Sequence, residues 1–341
     1  VMSKGDLIDR GQLKSFEENL AKFVGTKYAV GLNSGYDALH LSLRAAGIGS
    51  GDEVIVPAHT FVATCSAIVN VGASPVLVDV SKDFNIDCNK IEAAITPRTK
   101  GIIPVHLSGY MADMVRIMEI AEKHHLVVVE DSCQSLGSSM MSIGAGAWGL
   151  TGCWSFYPFK ILGGYGDGGA ITTNDPDVAL FATRMRYNGE DRKTGEYHGH
   201  GFTCLLDNLQ AAFLNVKLKY LPSWIIRRKS IAERYRAALS DIPDLLLPHY
   251  DDPRRDHVYQ NYTVRSKQGN EFSEYLKKNG VEVLTQFRKP YYKHEALKLE
   301  DRGFPETEAL SREVCSLPMN VEIDDEQIEY VIKVVRSFYN K

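Results

Sequence analysis

Lys160, Ser155, Asp131 and Gln134 are the residues whose types and spacing could do chemistry together. Lys160 lies in SFYPFKILGGYGDGGA, residues 155–170, just ahead of Gly163, Gly164, Gly166, Gly168 and Gly169. A lysine of lowered pKa in a desolvated site is a nucleophile towards carbonyls and forms Schiff bases. The ordinary alternative is an exposed lysine in a flexible loop. The glycines argue against it, because they mark tight turns or backbone passing close to a ligand. Asp131 ends the most apolar strand-like run of the chain, within VVVEDSCQSLG (127–137). A carboxylate there is costly unless paired. It caps a turn, meets a structural arginine, or faces a protonated ring nitrogen. Gln134 is placed to hydrogen-bond the same ligand.

Two more stretches join these. Asn33-Ser34-Gly35-Tyr36 follows a strand and opens a helix. Free backbone N–H groups and the helix dipole at such a turn suit a phosphate. Ser34 caps or binds, and Gly35 lets an anion approach the backbone; capping alone is the commoner meaning of such a turn. Phe61, in PAHTFVATCSAI (57–68), lies just beyond a strand end. It covers a flat ring there, or it is a core phenylalanine, which without context is the favoured reading. Taken together the set supplies a phosphate cradle, a ring cover, a carboxylate for a ring nitrogen and an amine for an aldehyde. Pyridoxal phosphate (PLP) has all four features.

The elements that must position these residues follow from apolar periodicity. Strands are predicted at 28–32, 53–57, 75–80, 101–105, 126–132, 152–157 and 168–174, with helices at 35–47 and 112–125 between them. In the latter, Met114, Ile117, Met118 and Ala121 share one stripe. Strands apolar throughout and separated by helices indicate an α/β fold with a mostly parallel sheet covered on both faces. Ligands of such sheets bind outside the carboxyl ends of the strands, where the residues above lie. Beyond about residue 215 the texture changes to an α+β unit. It has a helix at 222–239 with Pro222 near its start, an alternating strand at 257–266, a helix at 270–279, a strand near 281–285 and a helix at 324–340. The expected division is a large domain, 1–215, and a smaller one, 216–341.

The 341 residues are long enough for a large core and a smaller one. A net charge of −4 and the absence of a sustained basic run point away from nucleic acid and membrane surfaces. The opening VMSKGDLIDRG lacks the apolar centre of a signal peptide, and no apolar run reaches membrane-span length. Six cysteines without a CxxC pair indicate reduced thiols and a cytoplasmic location. His198 and His200 in YHGH have no cysteine or carboxylate at zinc spacing, so a polar loop is the better reading and no metal is expected.

VVVEDSCQSLG followed by CWSFYPFKILGGYGDGGAITTND resembles the DegT-type (StrS-type) sugar aminotransferases, PLP enzymes of the aspartate-aminotransferase fold (fold type I). The likeness runs from NSGYDALHLSLRAAGIGSGDEVIVPAHTFVATCSAI through PVHLSGYMADM, LDNLQAAFLNVKL and HVYQNYTVR to LPMNVEIDDEQIEYV. It implies that Lys160 binds the cofactor covalently and later moves the substrate proton, and that Asp131 pairs with the pyridinium nitrogen. Gln134 would bond the phenolic oxygen, Ser155, Ser34, Gly35 and Tyr36 would surround the phosphate, and Phe61 would stack on the ring. Related sugar dehydratases have histidine in place of this lysine, so Lys160 implies amino transfer. The implied reaction takes an amino group from glutamate to a keto-sugar, usually nucleotide-linked, in a homodimer whose subunits complete each other's sites. Alternatives within the fold are a PLP-dependent dehydratase or epimerase and a non-catalytic regulatory paralogue.

There are departures from the family pattern. Tyr36 stands where a threonine is common in the phosphate loop. Thr203 and Leu205 replace an asparagine and an arginine that the family often carries ahead of LDNLQAA, the asparagine reaching the partner's phosphate. Phe159 replaces a polar residue, and QFRKPYYKHEAL (286–297) differs from the usual His-Tyr-Pro pattern, which implies a specialised substrate end. The resemblance also implies a segment, on the order of 15–20 residues, ahead of Val1.

Overall fold

The structure is a computed structural model, and it describes residues 1–8, 10–248, 252–285 and 287–340. After a short 3-10 turn at Met2–Lys4 comes helix α1 (Gly11–Val24). Strands β1 (Tyr28–Leu32), β2 (Glu53–Pro57), β3 (Ser74–Val78), β4 (Thr99–Ile102) and β5 (Val127–Asp131) then alternate with helices α2 (Gly35–Ala45), α3 (Val62–Asn70), the single-turn α4 (Cys88–Ile91) and α5 (Met114–His124). A short hairpin of β6 (Ser139–Met140) and β7 (Ile143–Gly144) precedes β8 (Thr151–Ser155), β9 (Gly169–Thr173) and α6 (Pro176–Met185).

Seven of these strands form one sheet in the order β1-β9-β8-β5-β4-β2-β3. The ladders linking β8, β5, β4, β2 and β3 are parallel, while β9 runs antiparallel to both β1 and β8. Successive strand residues point to opposite faces. Val54 and Val56 accordingly enter one core with α2, α3 and α6, and Ile55 enters another with α1 and α5. The expected 101–105 strand is displaced to Thr99–Ile102. Pro104 has no N–H to continue a ladder, and its carbonyl instead accepts from Asp131 N at 2.9 Å.

Past α6, a small ribbon of β10 (Glu190–Asp191) and β11 (Glu196–Tyr197) leads to α7 (Asn208–Leu239). This helix corrects the expected start at Pro222, which lies inside it. An interior proline costs about 3 kcal/mol, and burial on two sides outweighs it. Ala211, Leu214, Leu218 and Leu221 pack in the core shared with α1 and α5. Ile231, Ala232, Tyr235 and Leu239 pack in a separate core downstream. The expected boundary at 215–216 therefore falls within a continuous helix.

That second core lies under β12 (Leu245–Leu246), β14 (Tyr262–Ser266) and β15 (Val314–Leu317), an antiparallel sheet in the order β12-β14-β15. Helices α8 (Gly269–Lys278), α9 (Pro305–Glu313) and α10 (Asp325–Tyr339) accompany it, while β13 (Arg255–Asp256) pairs back to β6. The expected strand at 257–266 begins only at Tyr262. Residues 257–261 form a strap instead: Tyr259 takes φ 52°, and Val258 N–H donates to Gly109 O at 3.2 Å. The strand expected near 281–285 reduces to one bridge between Leu284 and Ser316. Asp79, just past β3, ties the two parts together. It accepts from Glu306 N, Thr307 N and Thr307 Oγ1 at 2.8–3.1 Å, capping α9 from outside.

Candidate active site

The residues singled out above converge at the carboxyl ends of β1, β5 and β8. Asp131 is the last residue of β5 and is buried. Its Oδ2 accepts from Thr64 Oγ1 at 2.8 Å and its Oδ1 from Cys133 N at 3.3 Å. Among the described residues no lysine, arginine or histidine forms an ion pair with it. The structural-arginine alternative is thereby removed. A buried carboxylate holding two neutral donors keeps lone pairs for a cationic donor.

Lys160 follows β8 in a turn whose own hydrogen bond runs from Lys160 N to Tyr157 O at 2.8 Å. The side chain is half-buried. Burial pushes the neighbouring Cys133 thiol far up, the charge of Asp131 adds to this, and the charge of Lys160 opposes it. Amine and carboxylate thus both lie within electrostatic reach of one thiol. Of the glycines beyond Lys160, Gly163 is sterically required by backbone, and Gly164 abuts a side-chain end that can shift. A Cβ at Gly163 would lie 2.3 Å from Pro158 O, and one at Gly164 would lie 2.9 Å from Gln210 Oε1.

The turn before α2 packs against Cys133 and Ser155. Ser34 is the N-cap, its Oγ accepting from Asp37 N at 3.1 Å and donating to Asp37 Oδ2 at 2.7 Å. Burial raises the Asp37 carboxyl above its usual range, and the Ser34 bonds offset only part of that. A Cβ on Gly35 would come 2.7 Å from Cys133 Sγ and 2.9 Å from Ser155 Cβ. A Cβ on Gly169 would come 2.2 Å from the Ser34 carbonyl. The first turn of α2 is thus pressed onto the ends of β5, β8 and β9 by backbone contacts that only glycine permits. Ser155 Oγ accepts from Tyr157 N at 3.4 Å.

Gln134 is buried beside Asp131, and its Oε1 accepts from Ser108 N at 2.8 Å. Its Nε2 has no hydrogen-bond partner among the described residues. Phe61 is the residue before α3 and is 58% exposed, so it is not a core phenylalanine. Its ring lies 6.5 Å from that of Phe287. Tyr36 departs from the cradle: its ring stacks on His40 with centroids 5.9 Å apart, and its hydroxyl accepts from Asn70 Nδ2 at 2.6 Å. Thr203 donates through Oγ1 to Asn188 Oδ1 at 3.2 Å, and Leu205 bridges to Leu32 at the end of β1. Within QFRKPYYKHEAL, Gln286 lies outside the described residues. Buried Tyr291 donates to Pro57 O at 3.0 Å and so ties this segment to the end of β2.

Sequence reasoning passed over Thr64 and Cys133. The signal for Thr64 is weak, since a threonine near a helix start reads as local capping; its role emerges only when α3 is laid against β5. Among the described residues, no group of three or more His, Cys, Asp or Glu could hold a metal ion. None of their helices is long and apolar enough to cross a membrane.

The sequence profile of the DegT/DnrJ/EryC1/StrS aminotransferase family matches residues 1–336. A transaminase of Streptomyces venezuelae, named for dTDP-3-amino-3,4,6-trideoxy-alpha-D-glucose, is 38% identical over 99% of this chain and 90% of its own length. A Geobacillus stearothermophilus protein named a pleiotropic regulatory protein is also 38% identical, over 99% of this chain and 92% of its own. Among solved structures, S. venezuelae DesV in complex with a ketimine intermediate superposes with a TM-score of 0.96 at 37% identity, covering 100% of this chain and 92% of DesV. The PLP form of the sugar aminotransferase Spr1654 of Streptococcus pneumoniae, described as putative, gives 0.92 at 27% identity, over 98% and 93% of the two chains. The chain belongs to the DegT/DnrJ/EryC1/StrS aminotransferase family. It is a PLP-dependent aminotransferase of fold type I.

Proposed function

We propose that this aminotransferase moves an amino group from glutamate to a nucleotide-linked keto-sugar in amino-sugar biosynthesis, as a cytoplasmic homodimer with shared active sites. The observation that carries the reading is the buried Asp131 and the Lys160 amine acting on one thiol, Cys133, beside the glycine-packed start of α2. Relatives at 37–39% identity named for dTDP- and UDP-linked amino sugars support the substrate class.

Bound PLP supplies an electron sink for the pair left behind when a proton leaves the amino-bearing carbon. The residues here fit it. Asp131 would offer its remaining lone pairs to the protonated ring nitrogen, and Gln134 Nε2 would donate to the phenolic oxygen. The backbone N–H groups of Gly35 and Tyr36 at the start of α2, with the hydroxyls of Ser34 and Ser155, would hold the phosphate. Tyr36 acts through its backbone, because its hydroxyl is bound to Asn70. Phe61 covers the ring, which accounts for an exposed aromatic at a strand end. Lys160 would hold the cofactor through its aldehyde and would supply the amine that moves the proton at the substrate carbon. Tyr157, Phe159 and Tyr165 are exposed around the lysine turn, as are Phe213, Val216 and Tyr220 on α7. These apolar groups support a partner subunit over the site. The six cysteines are all free, as a reducing compartment would leave them.

The test is spectroscopic. Added PLP should give a visible band on the purified protein, and glutamate should replace it with a pyridoxamine-type band. A band that glutamate leaves unchanged would point to another donor or another PLP chemistry. Absence of any band would contradict the proposed cofactor contacts.

A further inference from the structure

The strap at 257–261 carries a contact that the site described above does not use. Gln260 is buried, and its side-chain amide spans the backbone on either side of Lys160. Gln260 Oε1 accepts from Ile161 N at 2.6 Å, and Gln260 Nε2 donates to Phe159 O at 2.9 Å. A primary amide is the side-chain group that offers a donor and an acceptor side by side, as a neighbouring peptide would. A carboxylate would meet the Phe159 carbonyl with lone pairs only.

The lysine turn is closed locally by Lys160 N to Tyr157 O and Gly164 N to Phe156 O, at 2.8 and 2.7 Å, and the Gln260 amide is the side chain that ties the backbone flanking Lys160 to the strap. Tyr157 and Phe159 are exposed, at 48% and 81%, so their side chains do not anchor it in either core. Burial resumes at Ile161 and Leu162. The strap itself is firmly seated. Arg228 of α7 donates to Tyr259 O at 2.9 Å and to Gln260 O at 3.3 Å. Gly109, at φ 91°, lets the strap approach so closely that a Cβ there would lie 2.9 Å from Gln260 N. The adjacent Ser108 N is the donor that holds Gln134. Directly after the strap the chain enters β14 of the second sheet.

We infer that Gln260 is a positioning residue for Lys160: its amide clamps the backbone on both sides of the lysine and sets where the amine meets the cofactor's aldehyde. The inference rests on the proposed role of Lys160. It makes the strap, and through it β14, part of the apparatus that places the amine. The clamp acts on backbone atoms and needs no contact with substrate, so loss of Gln260 should change the lysine's reactivity more than glutamate binding.

The test compares Gln260→Met, close in size but lacking both hydrogen bonds, with Gln260→Glu, which keeps the acceptor for Ile161 N. Arg228→Met, which removes the bonds to the Tyr259 and Gln260 carbonyls but leaves the Gln260 side-chain amide in place, is the control. Melting midpoints establish folding. Hydrogen exchange of the 159–164 peptide in the apoprotein reads the clamp without any cofactor. The rate at which added PLP becomes borohydride-reducible onto Lys160, followed by mass spectrometry, reads the positioning. In Gln260→Met the Ile161 amide should lose protection, and PLP capture and kcat should each fall about tenfold with the KM for glutamate unchanged. Gln260→Glu should keep the Ile161 protection and recover part of the capture rate. A Gln260→Met protein that loses protection but captures PLP at the wild-type rate overturns the inference. An equal capture defect in Arg228→Met with Ile161 still protected also overturns it. If neither Gln260 variant folds, the residue is structural and the inference falls. Failure of the wild type to capture PLP would instead sink the functional reading, while the exchange comparison would still read the clamp.

Discussion

Replacing Gly35 by alanine tests whether the start of α2 is a steric cradle or merely a helix cap. The new Cβ would stand 2.7 Å from Cys133 Sγ, 2.9 Å from Ser155 Cβ and 3.3 Å from Trp154 O. Real Cβ atoms do not approach that closely, so something must move. Ser155 Cβ and the Trp154 carbonyl belong to β8, which is paired on both sides by β5 and β9. Cys133 Sγ is the neighbour able to yield. Overpacking of this kind costs about 1–3 kcal/mol, and with two of three contacts fixed the upper half of that range, roughly 2–3 kcal/mol, is expected here. Removing the sulfur by Cys133→Ala relieves the shortest contact. The double variant Gly35→Ala/Cys133→Ala should therefore be more stable than the sum of the single effects by about 1 kcal/mol, in the range measured for touching residues. Urea unfolding of the apoprotein at constant slope measures the cycle. Strict additivity, or a Gly35→Ala protein as stable as the wild type, would refute the packing argument. PLP affinity should follow the same order, because the same displacement moves the first-turn amides.

Three further outcomes are expected. Lys160→Ala should abolish turnover while leaving the melting midpoint near the wild-type value, and substantial residual turnover would remove its assigned role. Asp131→Asn should lower the rate of the glutamate half-reaction by at least a hundredfold, about 3 kcal/mol of barrier, followed as a single turnover by stopped-flow absorbance; a near-normal rate would disprove the pairing with the ring. Stability should fall on acidification through buried His59, whose imidazole is pushed down from 6.5 to about 4 by burial first and the charge of Arg265 second. The unfolded chain binds that proton below 6.5 and the folded chain only near 4, so stability is lost as the pH drops across that window. His257, also lowered by burial, has the same sign. His59→Gln should flatten the dependence of the urea midpoint between pH 6.5 and 4.5, and an unchanged slope would exclude His59 as its source.

Much of the sheet could be read directly, because strands buried on both faces declare themselves as unbroken apolar runs. Residues 28–32 and 53–57 appear as β1 and β2 with no change of bounds. The errors came where tertiary contact overrides local pattern. Pro222 reads as a helix start in isolation, yet two cores hold α7 straight through it. His257–Ser266 alternates as a half-buried strand should, but its first half leaves the extended state to reach the Ser108–Gly109 turn. The site residues were findable because chemistry restricts their types. Thr64 and Gln260 were not, since their roles depend on which distant backbone or carboxylate they meet, and spacing along the chain carries no trace of that.

Helix α7, at 32 residues and about 48 Å long, is one rod lodged in two cores. The two cores are therefore held in one relative placement by a single element. A break between Leu221 and Ile231 would leave each core its own stretch of helix but cut the rod that joins them. Circular permutation, domain exchange between relatives and limited proteolysis should all find this stretch intolerant, although much of its surface faces solvent. Natural variation would be expected to graft new substrate ends onto the loops after the strands and to leave the rod whole.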